Sequence, residues 1–201
     1  MRNYDSFPVI PEGDVDILVN QEDENVLLNI IKTVVQDLGG TTVPKFKAGY
    51  HNQIRALRPS EEFIECSIDF DVQTQIENKG ISLIDSKWIL SDYIEVINGY
   101  QVPRQVALGV MLLVHSIVDK EQFKEKYWET VITSYQQYKL QFEELLRKCV
   151  GIKLSTKMIK FLGNHNKGEL IKLKKVILLY SLFRRRNLVN KIRYIFEHQL
   201  F

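Results

Sequence analysis

A chain of 201 residues with 45% hydrophobic content can bury a substantial core, as one domain or as two small ones. Its two cysteines, Cys66 and Cys149, are far apart and lack metal spacing, which excludes a disulfide framework and a cysteine zinc site. The longest apolar run, Val106 to Val118, falls short of the roughly 20 residues a membrane helix needs, and no basic start with an apolar core marks a secretory leader, so a soluble cytoplasmic protein is expected.

The formal charge of +2 conceals a segregation. Residues 1–100 carry 8 Lys and Arg against 17 Asp and Glu, a net −9, whereas residues 153–201 carry 12 against 2, a net +10. Either two parts do different electrostatic work, one holding cations and the other facing anions, or the two halves attract each other.

Asp14 to Val19, "DVDILV", reads as a strand with two acids at its mouth. Gln21 to Leu38 spaces Val26, Leu27, Ile30, Ile31, Val34, Val35 and Leu38 as a helix with one buried stripe, ended by Gly39-Gly40. Three extended segments follow, Thr41 to Lys47, Gln53 to Arg58 and Phe63 to Val72, with "RPSEE" as the turn between the last two. The expected first part is therefore α+β, a small mixed sheet with a helix over residues 1–100. From Trp88 onward the pattern predicts helices: Trp88 to Ile97, Pro103 to Val118, Glu121 to Cys149, Ser155 to Leu162, Glu169 to Phe183 and Leu188 to Leu200. Breaks fall at Gly99, Gly151, Gly163 and Gly168, and residues 101–201 are expected to form an all-helical domain.

Strand periodicity puts Asp14 and Asp16 on one face, about 6 to 7 Å apart along a strand that rises roughly 3.3 Å per residue. Asp69 and Asp71 repeat the arrangement in "CSIDFDV", opposite Ile68, Phe70 and Val72. Carboxylates converging on one patch repel each other unless a cation neutralises them. Mg²⁺ or Mn²⁺, hard ions shared between a few carboxylates and substrate phosphates, suits such a patch.

"GDVDILV" followed by "ECSIDFDV" resembles the nucleotidyltransferase superfamily that includes DNA polymerase beta and the aminoglycoside nucleotidyltransferases. "MRNYDSFP", "NKGISLID" and "LLVHSIVDKEQFKEKYWETVI" look like members from bacterial surface-polysaccharide gene clusters. The resemblance implies Asp14 and Asp16 as metal ligands. It implies Asp69 as the third acid ahead of Asp71, binding a second metal or acting as base toward an acceptor hydroxyl. Arg2-Asn3 stands where the family has Gly-Ser, whose backbone amides approach the nucleotide phosphates; Arg2 could contact a phosphate by its guanidinium instead.

Lys45 and Lys47 read as sharing a strand face, with Arg55 in the next strand, and all three are candidates to reach a triphosphate or to serve as edge-strand charges. His51, at a strand start, reads as a solvated histidine ahead of a base contact or a proton carrier, and His115 as a satisfied core residue rather than a catalyst. The basic run from Lys172 to Arg193, with "KLKK" and "RRRN" between apolar residues, is either a solvated outer face or a contact for an anionic membrane surface or glycan, ahead of nucleic acid. The expected activity is transfer of a nucleotidyl or phosphoryl group from a nucleoside triphosphate to a hydroxyl acceptor, in surface-polysaccharide synthesis by resemblance. Its rival is a catalytically inactive relative that binds an anionic partner through its basic helices.

Overall fold

The computed structural model describes residues 14–48, 51–58, 66–78, 81–183, 188–189, 191–192 and 195. It is α+β and divides into two compact units, Met1–Gln75 with Val96–Val102, and Ile76–Glu95 with Pro103–Phe201.

The first unit is built on β1 (Val15–Leu18), α1 (Glu24–Asp37), β2 (Thr41–Ala48), β3 (His51–Arg58) and β4 (Cys66–Gln73). The sheet order is β1-β4-β3-β2, with β1 parallel to β4 and the other pairs antiparallel. A parallel pair needs a crossover, and α1, β2 and β3 all lie between these two strands in sequence. The apolar alternation of β4 places Ile68, Phe70 and Val72 on one face, where Ile54 and Val72 are buried. Helix α1 covers that side: it packs on β2 and β3, buries Ile31, and its Glu24 accepts a hydrogen bond from Asn52 Nδ2. Gly39 (φ +76°) ends α1 in the left-handed region, with the Gly39 and Gly40 amides bonded to Gln36 O and Val35 O at 2.8 Å. A Cβ on Gly40 would lie 2.7 Å from Leu57 O, so only glycine lets α1 turn into β2 this close to β3.

Strand β2 is an edge, which is why it tolerates Pro44. A β-bulge between Pro44 and Phe46 shifts its register against β3. Lys45 and Lys47 therefore do not share a face as simple alternation predicted. Lys45 reaches Asp69, whereas Lys47 is paired with Asn52, whose side chain meets α1.

The second unit contains a two-stranded sheet, β5 (Gln75–Asn78) and β6 (Ile81–Asp85), and α2 (Ser86–Asp92), capped by Asp85 accepting from Lys87 N at 3.0 Å. The expected helix Trp88 to Ile97 does not form: α2 stops at Asp92, and β7 (Ile94–Ile97) pairs with β8 (Tyr100–Pro103), a hairpin whose residues Val96–Val102 belong to the first unit. Asn98 (φ 52°) and Gly99 (φ 83°) form the hairpin tip. Asn-Gly between strand-forming residues, here Ile97 and Tyr100, is the sequence signature of a two-residue hairpin turn, and Gly99 is not a helix break. Pro103 ends β8 and does not open the following helix.

Helices α3 (Gln105–His115), α4 (Glu125–Gln137), α5 (Lys139–Val150), α6 (Ile152–Gly163), α7 (Lys167–Lys172) and α8 (Lys174–Leu182) make the rest, with a π-helical segment, Ser116–Lys120, continuing α3. The expected long helix Glu121 to Cys149 is split at Tyr138, and Glu169 to Phe183 is split at Leu173. Most of the expected helix Leu188 to Leu200 lies outside the described residues. Val110, Leu113, Val131, Phe142, Leu146, Met158, Leu170 and Ile177 are fully buried and form this unit's core. No described helix is long and apolar enough to cross a membrane.

Candidate functional site

The acids of β1 and β4 lie on the sheet face opposite α1. In the parallel register Asp16 is the direct neighbour of Asp71, and neighbouring strands run about 4.8 Å apart. Both side chains are half-buried. Asp14 is exposed immediately before the first residue of β1. The sheet thus brings one acid of each expected pair together, Asp16 and Asp71, through strand pairing across 55 residues of sequence (71 minus 16).

Asp69 is engaged differently. It pairs with Arg55 across the β3–β4 ladder, and Arg55 donates from Nε to Oδ1 at 2.7 Å and from Nη2 to Oδ2 at 2.9 Å. Lys45 Nζ donates to the same Oδ2 at 2.7 Å. These charge-assisted bonds, Arg55 first and Lys45 second, hold the Asp69 carboxyl far below the usual carboxylate range despite its burial. The carboxylate expected as the leading third acid is thus already matched by two cations, and the cluster of Asp69, Arg55 and Lys45 carries one net positive charge beside Asp16 and Asp71.

Asp71 has a second feature. Its Oδ1 is buried and accepts no hydrogen bond from a described residue; His51 Nε2 lies 3.6 Å away, beyond a hydrogen bond. His51 is half-buried here, not solvated as expected. Stepping by two from Arg55 through Gln53 to His51 keeps the same strand face, a signal available in the sequence once Arg55 was placed there.

Among the described residues, no three His, Cys, Asp or Glu side chains group closely enough to hold one metal ion by themselves. Mg²⁺ commonly takes only one or two carboxylates and completes its shell with waters and substrate phosphates. Asp16 and Asp71, with the orphaned oxygen of Asp71, fit that donor chemistry. Arg2 and Asn3, expected at the phosphates, lie outside the described residues.

A second polar cluster sits in the helical unit. Asp119, in the π-helical segment, bonds His115 Nδ1 at 2.8 Å and accepts from Asn78 Nδ2 of β5. His115 Nε2 is buried and has no hydrogen-bond partner among the described residues, so His115 is only half satisfied.

No family model, curated protein or solved structure matches the chain.

Proposed function

We propose that the chain is a divalent-cation-dependent, nucleotidyltransferase-like protein that moves a nucleotidyl or phosphoryl group from a nucleoside triphosphate to a hydroxyl acceptor. The observation that carries this reading is the register of β1 on β4, which makes neighbours of Asp16 and Asp71 on the polar sheet face. In this reading Asp16 and Asp71 hold Mg²⁺ or Mn²⁺, with Asp14 at the exposed mouth of β1 adding a ligand through water. The ion, when bound, neutralises charge on the phosphates and on the transferring group. Arg55 and Lys45 bind the phosphate chain as fixed cations. Asp69 is then a positioning residue: its carboxylate keeps both cations aimed at the sheet face and leaves one net positive charge there.

The resemblance to surface-polysaccharide members suggests a glycan-precursor hydroxyl as the acceptor. A second reading, a silent relative that binds nucleotide without transfer, draws on Arg2-Asn3 in place of Gly-Ser.

Titration calorimetry of the full chain with MgATP, MgGTP, MgCTP and MgUTP tests the proposal. Binding of at least one of them is expected, with loss of at least tenfold in affinity in Asp16→Asn and in Asp71→Asn. Metal-independent binding, or equal binding by both variants, would overturn it. Binding without release of pyrophosphate or phosphate when polyol and sugar acceptors are supplied would select the silent relative.

A further inference from the structure

The two acids on the polar face of β4 are satisfied unequally. Asp69 receives three hydrogen bonds from Arg55 and Lys45. Asp71, two residues on and on the same face, has an Oδ1 shielded from solvent that accepts no hydrogen bond from a described residue. A carboxylate oxygen withdrawn from water without a donor or a cation costs more than a neutral orphan does, so a positive charge belongs at that atom.

Register sets His51 beside this oxygen. His51 opens β3 opposite Gln73, one step of the two-residue period from Gln53, which stands opposite Asp71. Its Nε2, also shielded from solvent, lies 3.6 Å from Asp71 Oδ1, and the two side chains are 25% and 15% exposed. A closed pair of the same two residue types occurs elsewhere in the chain, where His115 Nδ1 and Asp119 Oδ2 approach to 2.8 Å. The His51–Asp71 pair stands 0.8 Å wider (3.6 minus 2.8), too long for a hydrogen bond. Two ligand atoms about 2.1 Å from one cation stand roughly 3.4 Å apart at a tetrahedral angle and about 3.0 Å apart at a right angle, so the spacing suits ligands that share an ion.

We infer that His51 Nε2 and Asp71 Oδ1 together ligate a first-row transition cation, in preference to Mg²⁺. The inference rests on the reading that Asp71 holds a divalent cation, and it narrows which one. Mg²⁺ takes oxygen donors in near-ideal octahedral array, whereas ions of the first transition row accept imidazole nitrogen beside carboxylate. The wide spacing of nitrogen and oxygen points the same way. Asp16, the neighbour of Asp71 on β1, adds its charge through water, and the remaining coordination positions are left to phosphate oxygens.

The test is titration of the full chain with Mn²⁺ in the absence of nucleotide, read by electron paramagnetic resonance. The continuous-wave signal counts free ion, and the pulsed experiment detects a directly coordinated imidazole nitrogen. Mn²⁺ stands lowest in the affinity order of its row, which makes it the stringent probe. One bound Mn²⁺ per chain with nitrogen coupling is expected, displaced by Mg²⁺ only at tenfold or greater excess. His51→Gln is expected to lose the nitrogen coupling and at least tenfold in Mn²⁺ affinity while its Mg²⁺ affinity changes less than twofold, and Asp71→Asn to lose both ions. Bound Mn²⁺ without nitrogen coupling in the wild type, a result that needs no variant, overturns the inference, as does coupling that persists in His51→Gln. In either case loss of Mn²⁺ from Asp71→Asn leaves the carboxylate reading standing. Mn²⁺ affinity unchanged in Asp71→Asn overturns both. Absence of Mn²⁺ binding to the wild type overturns the inference, and the nucleotide calorimetry decides the sheet-face reading separately.

Discussion

Replacing Asp69 with asparagine tests two linked ideas, that this residue is a structural partner of Arg55 and Lys45 and that it is not the metal ligand. The substitution removes one charge and weakens three charge-assisted hydrogen bonds of 2.7, 2.9 and 2.7 Å. Because the Arg55 and Lys45 side chains are 40% and 33% exposed, each bond is discounted for solvent screening to about 0.5–1 kcal/mol. The expected cost is about 1.5–3 kcal/mol, or roughly 10- to 160-fold in the opening constant of the sheet. Hydrogen exchange of β3 and β4 amides at pH 7 reads that opening. Asp69 has its pKa lowered from 3.8 in the folded chain, so its contribution is fully present above about pH 4 and is lost as pH falls further. The difference in urea midpoint between wild type and Asp69→Asn should therefore narrow from pH 7 to pH 3. In calorimetry the same variant should bind MgATP, or whichever nucleotide the wild type binds, more weakly than wild type but more tightly than Asp71→Asn, since Arg55 and Lys45 lose the carboxylate that aims them while the metal-holding acids remain. Unchanged β3–β4 exchange at pH 7 would refute the structural role. Loss of nucleotide binding equal to that of Asp71→Asn would refute the assignment of roles and return Asp69 to the metal.

Three further outcomes follow from packing. A Cβ on Gly109 of α3 would lie 2.5 Å from Ser134 Cβ and 3.1 Å from Phe142 Cε2, so Gly109→Ala should lose about 1–2 kcal/mol through overpacking despite its better helix propensity, seen as a melting temperature about 2–8 °C lower; Ser134→Gly should recover part of that. Gly99→Ala has open space around it, so its cost of about 1–2 kcal/mol comes from the positive φ alone, and faster exchange confined to β7 and β8 would confirm it. Asp119 serves both His115 and Asn78, so Asp119→Leu should lower the urea midpoint more than His115→Phe; the reverse order would show that the network is not centred on Asp119.

Local periodicity carried much of the architecture. The helical span of α1, the alternation of β4 and the helices after residue 105 were legible because each depends on neighbours three, four or two positions away, but the stripe expected to be buried on α1 buries Ile31 and leaves Val26, Ile30, Val34 and Leu38 exposed. The hairpin of β7 and β8 was equally local, since Asn98-Gly99 sits between Ile97 and Tyr100, and the helical reading of Trp88 to Ile97 failed by treating that glycine as a stop. The splits at Tyr138 and Leu173 were not legible. The apolar pattern runs through both positions, and only packing in the helical unit decides where the axis turns.

The site divides along the same line. That Asp69 and Asp71 share a face, and that Asp14 and Asp16 stand at a strand mouth, are consequences of the two-residue strand period and belong to the sequence. Which acid meets which partner belongs to the tertiary structure. The parallel register of β1 on β4 sets Asp16 beside Asp71, the antiparallel register of β3 sets Arg55 against Asp69, and the bulge in β2 brings Lys45 to the same carboxylate. A one-residue slip would exchange the faces of a strand, so the composition of this cluster is a property of register, which the apolar faces select only when the strands assemble.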